Sequence, residues 1–115
     1  MNAKKVERFW GHEVHWANTD KYSSKIIHIN RGNQTKLRKH DVKDKTIYVL
    51  QGLLILELGL DKQKNNKAEI MKVLETGESF RVKPGTIYRF VAPRECFARL
   101  IETSTAEIDD GEINI

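Results

Sequence analysis

The side chains best suited to chemistry in this chain are basic. Between Arg31 and Lys45 lie Lys36, Arg38, Lys39, His40 and Lys43, the densest stretch of positive charge in the sequence. Guanidinium and ammonium groups attract phosphates and carboxylates, nucleic acid included. The plain alternative is a solvated basic face. His40 stands inside this stretch, and because an imidazole titrates near neutrality it is the natural proton acceptor. The other histidines offer less. His12 and His15 are three apart, which does not put them on one face of a strand, and they read as surface or packing residues. His28 alternates with Ile27 and Ile29, so it faces opposite them or enters an interior pocket. Cys96, beside Arg94 and Glu95, has no His/Asp dyad in its vicinity and reads as a buried or idle thiol rather than a nucleophile.

The elements that must hold these residues are strands. Ser24–Asn30 is rich in β-branched residues, and Thr46–Leu50 and Leu53–Leu58 are apolar runs around a turn or bulge at Gln51-Gly52. Asp61–Lys67 is a polar loop. Ala68–Leu74 and Phe97–Thr103 alternate, Ser79–Val82 is short, and Thr86–Val91 follows the turn pair Pro84-Gly85. Short strands punctuated by Gly and Pro point to a sandwich or barrel. The only helix candidate is Ala3–Trp10. Trp10, Trp16, Phe80, Phe90 and Phe97 are expected to pack the interior, with Phe80 and Val82 on one face and Tyr88 and Phe90 on another.

A chain of 115 residues suffices for one core and is too short for two, so residues 1–115 read as a single domain. Residues 1–11 form an N-terminal arm and residues 105–115 an acidic tail. That tail carries Glu107, Asp109, Asp110 and Glu112 without a Lys or Arg, which leaves 20 basic against 12 acidic residues elsewhere, an excess of +8. No apolar run approaches the roughly 18 residues needed to cross a bilayer, so no membrane contact is expected. The segment Met1–Phe9 lacks an apolar signal core, and one cysteine cannot make an internal disulfide. Both features point to the cytoplasm.

Spacing then becomes specific. Gly32 is followed after five residues by Arg38, with His40 two further on, Lys45 after four more and Gly52 after another six. Gly77, Gly85 and Tyr88 form a second set, with Pro84 just before Gly85 and Ala92 four residues after Tyr88. The first set resembles the cupin motif Gly-x5-His-x-His-x3–4-Glu-x6-Gly. The second resembles Gly-x5-Pro-x-Gly-x2-His-x3-Asn, with Pro84 displaced by one place, Tyr88 for His and Ala92 for Asn. The flanks Val6–Glu13, Lys25–Gly32, Ile47–Gly52, Pro84–Arg89, Leu100–Thr103 and Asp109–Ile113 are similar to the mannose-6-phosphate isomerase branch of cupins. The resemblance spans most of the chain and implies an all-β jelly-roll barrel, the double-stranded β-helix.

In that family the four motif positions converge on one divalent metal. Here Arg38, Lys45 and Tyr88 replace a His, a Glu and a His, and only His40 keeps its type. Arg has no lone pair to give, and an ammonium repels a cation. No metal and no other cofactor is therefore expected. Three readings remain. Arg38, His40, Lys45 and Tyr88 form a pocket for a small anion, such as a sugar phosphate, nucleotide sugar or carboxylate. Alternatively, His40 as base and Tyr88 as acid run a metal-free sugar isomerase or epimerase, with the cations stabilising an enolate. Otherwise the site has decayed and Tyr88 is packing. A nucleic-acid or partner role for the 31–45 surface ranks last, since no ordered basic-plus-aromatic signature accompanies it. A homodimer is expected, with the run Leu53-Leu54-Ile55-Leu56 as its face.

Overall fold

The computed structural model describes residues 2–59 and 68–106. The Asp61–Lys67 loop and the acidic tail beyond Ala106 lie outside the described residues. Within them the chain is all β: β1 (Lys4–Arg8), β2 (Gly11–Asn18), β3 (Tyr22–Ile29), β4 (Arg38–Lys39), β5 (Lys45–Leu58), β6 (Ile70–Glu75), β7 (Ser79–Val82), β8 (Ile87–Val91) and β9 (Ala98–Thr105). No helix of the described residues is long and apolar enough to cross a membrane.

Every pairing is antiparallel, in the order β1-β2-β3-β9-β5-β8-β4, with β6 and β7 also on β5. β5 is the strand on which the fold turns. Its first half pairs with β9 and β7, and its second half with β6 and β8. The two apolar runs flanking Gln51-Gly52 are thus one strand of 14 residues. Between them lies a bulge, where the register with β9 shifts between Val49 and Gln51. Gly52 has φ +84, and a Cβ there would run into the carbonyl of Phe97, so the bend requires glycine on two counts.

Alternation decides what the sheet encloses. Ile27, Ile47, Leu54, Leu56, Phe90 and Leu100 are fully buried, joined by Trp10 and Tyr88. Burying side chains of this size contributes about 1.5–3 kcal/mol each, so these rows dominate the hydrophobic term. Phe80 packs partly against the same core.

Four expectations need correction. Ala3–Trp10 is not helical: β1 pairs with β2 as an edge strand, and Lys5 and Glu7 meet at 3.2 Å on one side of it, a two-residue spacing that suits a strand. Its charged residues protect that open edge from pairing with other chains. Trp16 stands at the β2 bulge between His15 and Ala17 and is half exposed rather than packed inside. Phe97 lies outside as well, stacked on His28 at 5.1 Å. Finally, Leu54 and Leu56 belong to the core at 0% exposure, so the run 53–56 leaves only Leu53 and Ile55 for any partner.

Candidate functional site

Five strands bring charged side chains to one region of the interior. β2 supplies Glu13, β3 Lys25, β4 Arg38, β5 Lys45 and β9 Glu102. Parity places them there. Glu102 shares its face with Ala98, Leu100 and Ser104, all buried, and Lys45 shares its face with Ile47 and Val49. Register then aligns His15 with Lys25 and Lys25 with Glu102 across β2, β3 and β9.

The contacts are ionic and dense. Lys45 Nζ donates to Glu102 Oε1 at 3.2 Å, with both groups almost wholly out of solvent. Lys25 Nζ lies between the two carboxylates, 3.7 Å from Glu13 Oε1 and 3.8 Å from Glu102 Oε1. Arg38 Nη2 is 3.6 Å from Glu13 Oε2. Arg8 donates to Glu13 Oε1 at 3.3 Å, and His15 Nε2 meets the same oxygen at 2.8 Å. An ionised carboxylate only accepts, so Nε2 is the protonated nitrogen of His15.

Burial alone would push the Glu13 carboxyl up. Lys25, the His15 hydrogen bond, Arg38 and Arg8 outweigh it and bring the group down from 4.5 to about 2. Glu102 follows the same pattern: burial opposes ionisation, and Lys45, Lys25 and Arg38 overcome it, so its carboxyl is lowered too. Groups lowered in the folded state add stability above their unfolded value and lose it as pH falls through the folded one. Acid unfolding monitored by circular dichroism should therefore show stability declining from about pH 4.5 toward pH 2. The Glu13→Gln variant should lose less stability than the wild type over that interval. An equal acid response in both proteins would contradict the assignment.

The structure brings all four sequence-derived residues to this region. Tyr88 pairs in register with Arg38, its ring centroid lies 6.2 Å from that of His40, and Lys45 Nζ is 5.8 Å from its centre. His40 and Tyr88 are both buried. Sequence reasoning passed over Glu13, Lys25 and Glu102. Their signal was acidic or basic residues at the same strand parity as buried apolar ones. His28 does not enter the interior: it lies on the outer face, stacked on His12 at 5.1 Å, with Arg99 donating to its Nδ1 at 3.4 Å. Burial, Arg99 and His12 lower its pKa. Cys96 lines a separate open hollow of about 510 Å³ on that side, with His28, Arg31 and Phe97.

The cluster as a whole is basic. Arg8, Lys25, Arg38 and Lys45 stand against Glu13 and Glu102, four cations to two carboxylates among the described residues. Lys25 and Arg38 are partly exposed there, Arg8 and His15 more so, which makes this the mouth of the site. His15, Ser23 and Lys25 line a hollow of about 20 Å³, room for about one water. A larger guest needs the long Lys25 and Arg38 side chains to swing outward, which their flexible stems permit. One carboxylate oxygen of each acid, Glu13 Oε2 and Glu102 Oε2, accepts no hydrogen bond among the described residues. These donors do not fit a divalent cation. Arg38 and Lys45 offer it no lone pair, and both carboxylates already face ammonium or guanidinium groups.

No protein-family model and no curated protein matches this sequence. Solved structures do match. KdgF from Halomonas sp. is 21% identical, with 96% of this chain and 90% of that one aligned at a TM-score of 0.74. The capsular polysaccharide assembling protein CapF from Staphylococcus aureus is 12% identical over all of this chain and 32% of its own, with a TM-score of 0.83. Oxalate decarboxylase from Bacillus subtilis is 11% identical over 97% of this chain and 30% of its own, at 0.78. The chain thus spans about a third of the latter two proteins. It has the fold of the cupins.

Proposed function

We propose that this cupin-fold chain binds a small anion bearing hydroxyl groups, a sugar phosphate, nucleotide sugar or sugar carboxylate, at the basic mouth of its interior. One observation carries the reading: Arg8, Lys25 and Arg38 converge there beside two buried carboxylate oxygens that accept no hydrogen bond among the described residues. Lys25 and Arg38 would take the anionic group, Arg38 in the forked geometry that suits phosphate and carboxylate. Glu13 Oε2 and Glu102 Oε2 would accept from hydroxyls. The flanks that resemble the mannose-6-phosphate isomerase branch lend the sugar part of this reading some weight. This reading needs no metal, because two of the four ligand positions, Arg38 and Lys45, are cationic and have no lone pair to give.

Thermal-shift titration against a panel of sugar phosphates, nucleotide sugars and organic acids tests the reading. At least one hydroxylated anion should raise the melting temperature, and the shift should persist in chelator and shrink with salt. A flat response across the panel would end it. A response that requires an added divalent ion would end the metal-free part.

A second reading rests on the closeness of His40 and Tyr88, two buried polar rings facing one another across 6.2 Å. In this reading His40 would take a proton from a sugar carbon and Tyr88 would return one, with a nearby cation on the enolate oxygen. Deuterium entering a sugar carbon from heavy water, abolished in His40→Gln and Tyr88→Phe, distinguishes this enzyme from a binder.

A further inference from the structure

We propose that the open hollow on the outer side of β3 is a second binding site, suited to a nucleoside monophosphate. Its position separates it from the basic mouth. Lys25 reaches the interior cluster at the same strand parity as Ile27 and Ile29, which are fully buried, whereas His28 has the opposite parity. The hollow's volume of about 510 Å³ falls within the range of about 300–1,000 Å³ that suits a small organic ligand. Two turns laced together form its wall. Asn33 donates its amide to the carbonyl of Asn30 at 3.0 Å, and Cys96 donates to that of Pro93 at 3.4 Å. The Gly32 amide ties the turns to one another, 2.9 Å from the Pro93 carbonyl and 3.2 Å from that of Ala92. A wall held by backbone hydrogen bonds needs little reordering on binding, which keeps the entropic cost low.

The lining gives each part of such a ligand a partner. His28 and Phe97 both line the hollow, both are partly exposed, and their rings stack at 5.1 Å, so a base has an aromatic surface on which to lie. Strand register builds that surface. His12, His28 and Arg99 stand in one row across β2, β3 and β9, and the His12 ring backs that of His28 at 5.1 Å. Arg99 donates to His28 Nδ1 at 3.4 Å, so the ring proton of His28 sits on Nε2. Burial, Arg99 and His12 hold its pKa down, which keeps the ring uncharged at pH 7, and a neutral ring stacks on a base without burying a charge. At the rim Arg31 is an exposed guanidinium whose fork matches a phosphate. Asn30 and Glu95, exposed beside it, offer side-chain oxygens that accept from ribose hydroxyls. Among the described residues of the lining Arg31 is the one arginine and Glu95 the one carboxylate, a balance that suits one phosphate rather than a chain of them.

Heteronuclear NMR of the full chain, titrated with adenosine monophosphate, tests the inference. The amides of residues 30–33 and 94–97 should shift, a pattern that marks the hollow rather than the mouth. Phe97→Leu should weaken that response about tenfold or more, since a base stacked on an aromatic ring owes it that much. Arg31→Gln should weaken it about tenfold for the nucleotide and leave adenosine unaffected. Arg31 is exposed, so its replacement reads binding without touching the core, and circular dichroism confirms the fold of Phe97→Leu. No shift at millimolar nucleotide, shifts confined to the interior cluster, or a response at the hollow that neither variant weakens would overturn the inference. Adenosine or inorganic phosphate binding there as well as the nucleotide would overturn it too, because the hollow would then read only half of the ligand. An affinity for oligoadenylate that climbs with length would assign the surface to single-stranded nucleic acid instead. The two sites share no residue, so failure of the interior anion site leaves this result standing.

Discussion

Replacing Lys45 with Met is expected to cost about 3 kcal/mol of folding stability, and a second replacement, Glu102→Gln, is expected to restore most of it. The ammonium of Lys45 makes the hydrogen bond to Glu102 Oε1, and both side chains are almost wholly removed from water. Taking away one charge of a buried pair leaves the other to bear its desolvation alone, which is why breaking a pair costs more than removing it whole. Lys25 remains 3.8 Å from Glu102 and keeps part of the compensation, so the loss falls at the lower end of the usual range of about 3–5 kcal/mol. Urea unfolding at neutral pH measures it. A Lys45→Met protein as stable as wild type, or a double variant no better than the single one, would show that the pair does not exist as drawn. The same geometry rules out charge reversal at this position as a harmless probe of binding, because Lys45→Glu would set a second buried carboxylate against Glu102.

Arg38→Gln is expected to weaken anion binding about a hundredfold, roughly 2.7 kcal/mol, with only a small effect on stability. The two effects separate because Glu13 has other cations. Arg8, His15 and Lys25 all contact Glu13 Oε1, whereas Arg38 faces Oε2 from the partly exposed side of the cluster. Removing it therefore leaves the carboxylate neutralised but takes the forked donor from the mouth. Calorimetric titration of wild-type and variant proteins with the strongest ligand of the panel measures the loss, and denaturation confirms that the fold survives. Unchanged affinity would place the anion elsewhere on the chain.

The fold was readable because glycine spacing reports backbone geometry locally. Gly32, Gly52, Gly77 and Gly85 all have positive φ, and the distances between them set strand lengths before any tertiary contact is known. That Arg38, His40 and Tyr88 share one region was implied by the resemblance to the cupin motifs. The compensation of their charges was not. Lys45 and Glu102 are separated by 57 residues, and only the register of β5 against β9 brings them together. Glu13 was hidden in the same way, since its cations come from β1, β3 and β4 and from a histidine two places along its own strand. A sequence reading that counts only the cations sees a wholly basic pocket, whereas the folded chain has a mixed one. Trp16 illustrates the remaining failure. Alternation fixes its side only if the strand is regular, and the bulge between His15 and Ala17 breaks that regularity.

The most direct measurement is a crystal structure of the full chain soaked with the sugar phosphate that gives the largest thermal shift. The account predicts phosphate density against Lys25 and Arg38, sugar hydroxyls donating to Glu13 Oε2 or Glu102 Oε2, and no anomalous metal signal beside His40. A metal ion ligated by His40, or a ligand seated away from these four side chains, would contradict it.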